Sequence, residues 1–278
     1  MSTRNPRHPR AVRFGRLSGL WQHRALIWQM TRRDVTGRYR GSFAGLLWSL
    51  LHPVLMLVVY TLVFGGVFHA RWGEGAHESR AEFALILFAG MIVHSLCAET
   101  LNRSASLILY HANYVKKVVF PLEILPCVTL GTALFHAGVS LSVLLAGLLL
   151  VNHFIHWTVF FLPLIWFPLM LLVLGGAWFL AATGVYVRDM GQITGIAMTV
   201  LLFLSPVFYS VEALPATAAR LMQLNPLTFI IEQTRAVLIR GEMPDWGGLG
   251  IYLLIAMVVA RLGYVLFDKM RPGFADVL

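Results

Sequence analysis

Residues 32–69 read RRDVTGRYRGSFAGLLWSLLHPVLMLVVYTLVFGGVFH. Arginines crowd its first nine positions, and from Phe43 to His69 there is no acid, lysine or arginine. A hydrocarbon core about 30 Å thick takes about 20 apolar helical residues, so this run can cross a bilayer. The change from cationic to apolar sequence marks a membrane boundary with the charge on its cytoplasmic side. Isolated strands would leave backbone groups unpaired in lipid, and barrel strands would alternate polar with apolar residues, so the run reads as helix.

The same pattern recurs outward from this stretch. Phe83–Arg103, Pro126–Val151, Trp157–Val187, Ile193–Ser210 and Gly248–Phe267 each qualify as a span. Composition agrees: 13% of residues are charged and 58% hydrophobic, whereas soluble domains carry about 25% charge. An ordinary water-soluble enzyme is therefore excluded. The expectation is an all-α integral membrane protein of six transmembrane helices. Residues 1–42 form a cytoplasmic basic head with an amphipathic N-terminal interface helix, and residues 43–278 form the six-span domain.

Charge sets the orientation. With the amino terminus in the cytoplasm, sixteen Lys and Arg fall inside: ten in the head, then Arg103, Lys116, Lys117, Arg188, Lys269 and Arg271. Five fall outside, namely Arg71, Arg80, Arg220, Arg235 and Arg240. Both termini are thus expected in the cytoplasm. The net charge of +9 is concentrated in the head, as for a lipid-facing segment; nucleic acid is not an expected partner. Cys97 and Cys127 sit in apolar stretches and read as small hydrophobes.

Within the head, Leu17, Leu20, Trp21, Ile27, Trp28 and Val35 lie near one side of a helical projection with several arginines elsewhere, although Arg24 partly interrupts that face and a plain positive-inside anchor is the alternative. Such a helix lies in the interface. Arg32, Arg33, Arg38, Tyr39 and Arg40 follow, either as cations snorkelling to lipid phosphates or as a site for a phosphate-bearing substrate. Loop 104–125 is long for a helix connection. Tyr114, Val115, Val118 and Val119 offer an apolar patch beside Lys116 and Lys117, with Phe120 and Glu123 following, suited to a groove on a cytoplasmic partner or equally to a plain amphipathic connector.

Loop 211–247 is extracytoplasmic yet helical in pattern. Asn225-Pro226 makes an N-cap and first turn. Leu227, Ile230, Ile231, Thr234, Val237 and Leu238 follow at helical spacing, with Gly241 as the stop. Together with Pro215–Leu224 this predicts a re-entrant outer helix pair, a gate or a surface cap. Glu232 and Arg235 are spaced for an exposed ion pair contributing only a few tenths of a kcal/mol.

Glu99 and Arg261 are the clearest charges inside the spans, and His94 and His136 read as interhelical hydrogen-bonding groups. Trp48, Tyr60, Phe64, Phe203, Phe208 and Tyr209 could line a path on whose rings sugar C–H faces stack, although most membrane aromatics serve packing or interface belts. No G-x-x-x-x-G-K-[ST] loop occurs, so no nucleotide site is expected on this chain. His153 and His156 lack companions for a metal, and no catalytic residues, cofactor or metal ligands are expected. A secondary transporter and a membrane-embedded transferase remain as rivals, without the aligned acids of a proton relay or the catalytic cluster they would need.

Four blocks carry a resemblance. They are Arg33-Asp34 through Arg38-Tyr39-Arg40-Gly41-Ser42 with Gly45, Trp48 and Pro53; Val115-Lys116-Lys117 through Phe120-Pro121-Leu122-Glu123-Ile124-Leu125-Pro126; Arg188-Asp189 with Gln192 and Leu204-Ser205-Pro206-Val207-Phe208-Tyr209; and Leu224-Asn225-Pro226-Leu227-Thr228 running to Arg235, Gly241 and Pro244. In this order they resemble the ABC-2 type exporter permeases for polysaccharides and polyol phosphates, of the O-antigen and teichoic-acid type. Phe274–Leu278 is similar to that family's ending, whereas His52 before Pro53 departs from its pattern.

The resemblance implies a homodimer in a bacterial inner membrane with two ATP-binding-cassette ATPase subunits, and ATP and Mg held by those partners. It implies export of a lipid-linked polysaccharide such as O-antigen, with capsular polymer or teichoic acid as the alternative cargo. It also implies a coupling helix over Tyr114–Phe120, an interface helix including Arg32–Arg40 as the entrance for a lipid diphosphate, and an outer gate over Pro215–Ile239.

Overall fold

In the computed structural model, residues 18–45, 47–63, 80–116, 120–211 and 215–278 are described. Among them there is no strand. Short α1 (Ser18–Gln22) leads into α2 (Arg24–Arg38), followed by α3 (Leu47–Tyr60) and α4 (Arg80–Ser104). The connector holds α5 (Leu107–Tyr110), α6 (Ala112–Lys116) and a 3-10 turn at Leu122–Ile124. Then come α7 (Leu125–Asn152), α8 (Leu162–Tyr186), α9 (Met190–Leu204), α10 (Ala216–Gln223), α11 (Pro226–Arg235), α12 (Trp246–Met270) and α13 (Phe274–Val277).

Among the described residues, four segments are long and apolar enough to cross a membrane: Ala81–Ser104, Leu122–Asn152, Trp157–Tyr186 and Trp246–Val277. Apolar helices at Leu47–Val63 and Met190–Leu204 fall on the first and fifth expected spans but are shorter. Residues 64–69 of the first lie outside the described residues. The fifth stops at Leu204 rather than Ser210, because Pro206 has no N–H to continue the ladder and residues 205–207 turn instead.

The core has two tiers, the first built on α4, which is buried along most of its length. In the first, Leu85, Phe88 and Leu96 of α4 meet Leu144 of α7, Ile165 and Leu169 of α8, and Ile230 and Ile231 of α11. In the second, at the other end of the bundle, Met30 of α2, Trp178 and Ala182 of α8, Tyr264 and Phe267 of α12, and Phe274 of α13 pack together. Apolar side chains also cover the outer faces: Leu55, Val58 and Leu62 on the α3 segment, Ile196, Val200 and Phe203 on α9, and Ile251, Leu254, Val258 and Leu262 on α12 are all exposed. Such faces are at home against hydrocarbon or another apolar helix.

A close backbone approach joins α8 to α12. A Cβ on Gly263 would collide with the carbonyl of Gly175, and one on Gly175 would meet the Val259–Ala260 backbone at 2.7 Å. These atoms are backbone, so they yield only if a whole helix shifts. Gly263→Ala is expected to lower thermal stability by about 1–3 kcal/mol, the usual overpacking range. Gly138→Ala, with nothing within 4 Å of the added methyl, is expected to leave it unchanged or slightly raised; a fluorescence melt of both purified variants checks the contrast.

Candidate functional site

The residues at the end of α2 meet two membrane helices. Met30, Thr31 and Val35 are its buried positions, and a Cβ on Gly131 of α7 would strike Thr31 Oγ1 at 2.8 Å, so the glycine lets α2 lie against α7. Away from α7 the tryptophans are open, with Trp21 of α1 74% and Trp28 of α2 70% exposed, as an interface helix requires. The Arg24 guanidinium stacks over Trp21, 5.3 Å from the ring centroid.

The polar residues of α2 and its last turn converge on α4 and α7. Arg103 donates to Asp34 Oδ2 at 2.6 Å, and Thr132 donates to the same oxygen at 2.8 Å. Arg38 donates to Glu99 Oε1 at 2.7 Å. His136 Nδ1 lies 2.9 and 3.0 Å from the two Glu99 oxygens, and its Nε2 lies 3.1 Å from the Tyr39 hydroxyl. Burial, more than the neighbouring Glu99 charge, pushes the Tyr39 phenol above its usual range, with Arg38 opposing. Tyr39 is therefore a neutral hydroxyl at physiological pH.

This cluster forms the rim of a cavity of about 830 Å³ between α3, α4 and α7. Arg38, Tyr39, Glu99, Arg103 and His136 line it together with Trp48, Met56, Tyr60 and Phe88, and with the polar His52, Ser95, Asn102 and Ser140 among others. Residues expected for a phosphate entrance (Arg38, Tyr39) and for a sugar path (Trp48, Tyr60) thus share one cleft. A cationic rim opening onto aromatic and apolar walls can receive an anion attached to an apolar or sugar body.

Other expected residues lie elsewhere. Arg32 and Arg40 are exposed, and Arg33 donates to the Tyr114 hydroxyl at 3.0 Å. Phe203 and Phe208 pair at 6.1 Å beyond the cleft, where the Tyr209 hydroxyl donates to the Phe203 carbonyl at 2.7 Å. Phe64 lies outside the described residues. Trp178 is buried, its indole N–H bonded to the Glu123 carbonyl at 3.0 Å, and serves packing.

In the connector, Tyr114 stacks on His111 and Phe120, with centroids 5.5 and 4.6 Å apart. Val115 is half-buried, Lys116 is exposed, and Lys117 lies outside the described residues. Glu123 corrects the sequence reading of an exposed docking patch. Its side chain is 7% exposed and paired with Arg271 at 3.0 Å, so it holds the carboxyl-terminal segment instead of facing a partner. Arg271 also donates to the Phe120 carbonyl at 3.3 Å.

Two helices, α10 and α11, occupy the segment expected to be a helix pair. The Asn225 side chain accepts from Leu227 N–H at 2.9 Å and, through Nδ2, donates to the Leu204 carbonyl at 3.0 Å. Pro226 opens α11, and a π turn over Ala236–Arg240 ends at Gly241, whose φ of 70° suits glycine.

Arg235 is the second correction. It is not half of an exposed pair: the residue is 1% exposed. Its guanidinium donates to the carbonyls of Ile86 at 3.1 Å, Pro206 at 2.6 Å and Val207 at 3.0 Å, and to Glu232 at 3.0 Å. The carbonyls freed where α9 breaks at Pro206 are satisfied by this side chain from α11, which the sequence placed in an outer loop. Spacing gave Glu232 as its partner; nothing local in the sequence pointed to the carbonyls.

Residues 25–239 match the family described as ABC-2 type transporter. The chain is 27% identical to the O-antigen export system permease protein RfbA of Myxococcus xanthus, over 92% of this chain and 96% of that protein. It is 21% identical to the RfbA permease of Klebsiella pneumoniae, over 91% and 95% respectively. It is also 21% identical to the polysialic acid transport protein KpsM of Escherichia coli, over 90% and 95%.

Proposed function

Because the chain belongs to the ABC-2 type transporter family, we propose that it is the membrane-spanning permease of an ATP-driven exporter of a lipid-linked surface polysaccharide. The observation that carries the reading is the single cleft in which the Arg38–Tyr39 rim meets Trp48 and Tyr60. Phosphate and sugar need different chemistry, and the cleft offers both within one cavity. Relatives named for O-antigen export favour O-antigen as the cargo over other polymers.

In this reading the six apolar helices all span the inner membrane, with both termini in the cytoplasm. Two copies associate, because six helices scarcely enclose a hydrated glycan and symmetric closure is the commonest way to pair identical subunits. The exposed apolar faces of α3 and α9 are available for that contact or for lipid. Two separate ATPase subunits hold ATP and Mg and dock on the Tyr114–Phe120 segment. Nucleotide binding there shifts the permease between states only through its different affinity for each.

Polymer-stimulated ATP hydrolysis by the reconstituted complex tests the reading. Tyr114→Ala removes two ring contacts and the Arg33 bond. It is expected to lower that stimulation about tenfold, equivalent to about 1.4 kcal/mol of coupling. Stimulation equal to that of the wild type would contradict the docking role.

A further inference from the structure

The cations at the rim of the cleft are already held by a carboxylate of the same chain. Arg38 Nη1 donates to Glu99 Oε1 at 2.7 Å. Arg103, one turn further along α4, gives Nη2 to Asp34. Its Nη1 is buried without a hydrogen-bond partner among the described residues, 3.9 Å from the same Glu99 oxygen. A buried donor left unpaired is costly and asks for an explanation. Two guanidinium groups therefore converge on one carboxylate with a donor unspent. A phosphate presents more acceptor oxygens than a carboxylate, in a geometry that guanidinium forks match.

We propose that this cluster is a phosphate site in its closed form, in which Glu99 stands where a phosphate group binds between Arg38 and Arg103. An amphiphile with a phosphate or diphosphate head takes both cations from it. The inference rests on the reading of the chain as a permease for a lipid-linked polymer. To the expected entrance it adds Arg103 as a second phosphate-binding cation and Glu99 as the resident competitor.

The surroundings fit an exchange of partners. His136 Nδ1 reaches both Glu99 oxygens, so the carboxylate keeps a partner after Arg38 leaves it. The Tyr39 hydroxyl on Nε2 fixes the ring in that orientation. Asp34 retains Arg103 through Nη2, leaving Nη1 for the ligand. Beyond the rim, Met56, Phe88, Met91 and Ile92 line the cavity. An amphiphile gains from these walls, and a free inorganic anion does not.

Isothermal titration of the full-length chain in lipid nanodiscs tests this with farnesyl diphosphate, inorganic diphosphate and farnesol as probes. Glu99→Gln is expected to tighten farnesyl diphosphate binding about tenfold, and Arg103→Gln to weaken it about tenfold, the scale of one charged hydrogen bond. Farnesol binding should respond to neither. Farnesyl diphosphate should bind at least about tenfold more tightly than inorganic diphosphate; equal affinities would overturn the assignment to a lipid-borne phosphate.

Unchanged or weakened binding in Glu99→Gln would overturn the closed site. Should that variant not fold, Glu99→Asp keeps the charge but draws it back from Arg38, and the same direction of change is expected. ATP-driven export by the wild-type complex, measured in parallel, separates the two levels. Export with unaltered Glu99→Gln affinity refutes only the closed site, whereas tight probe binding without export refutes the permease reading.

Discussion

Replacing Arg235 by leucine is expected to release α11 from the rest of the bundle. The guanidinium joins four partners on three parts of the chain: Ile86 on α4, Pro206 and Val207 after α9, and Glu232 on α11. Leucine fills part of the space but leaves three buried carbonyls without this donor and Glu232 without its buried partner. Breaking such a network by removing one member typically costs about 3–5 kcal/mol.

Lysine is not expected to rescue it, because a single ammonium cannot reproduce the planar fork. Glu232→Gln should cost far less, since Glu232 is 31% exposed and the three carbonyl bonds survive. Hydrogen exchange on the purified chain checks this. Amides of α11 should lose protection in Arg235→Leu while those in the middle of α12 keep it. Wild-type protection of α11 would show that the apolar contacts of Ile230 and Ile231 suffice without the buried cation.

The second large effect is expected at Arg271. Removing it as Arg271→Met strands the Glu123 carboxylate in a site where that side chain is only 7% exposed. It also removes a donor to the Phe120 carbonyl. Arg271 is itself 23% exposed, so water offsets part of the loss and about 3 kcal/mol, the low end for a broken buried pair, is expected. Glu123→Gln with Arg271→Met should recover much of this, because no charge is then left unpaired. A double-mutant cycle of thermal stability measures the coupling. Strict additivity of the two single changes would mean that the pair contributes nothing to holding α13 against the connector.

Much of the architecture was legible because lipid imposes simple rules. Long uncharged runs gave the helices, and the Asn225-Pro226 cap with Gly241 gave both ends of the outer helical segment, since caps depend on neighbouring residues alone. Pro206 shortens α9 by a rule equally legible in the sequence, since it has no N–H to continue the ladder. Arg235 could not be read this way: its partners are carbonyls on α4 and beyond α9, brought together only by packing. Glu99 and Arg103 share one face of α4 at four-residue spacing, but Arg38, Asp34 and His136 come from two other elements. Residue types alone left Glu99 as a lone charge in a span and His136 as an ordinary interhelical donor. For the same reason Glu123 looked available beside the lysines until Arg271, far along the chain, was found against it.

Transport itself remains the most direct measurement. Inside-out proteoliposomes carrying this chain and an ATP-binding-cassette partner should be supplied with lipid-linked polysaccharide, and polymer protected in the lumen should be quantified. Protected polymer is expected only with both proteins and hydrolysable ATP present. Equal accumulation with this chain alone, driven by an ion gradient and indifferent to nucleotide, would contradict ATP-driven export.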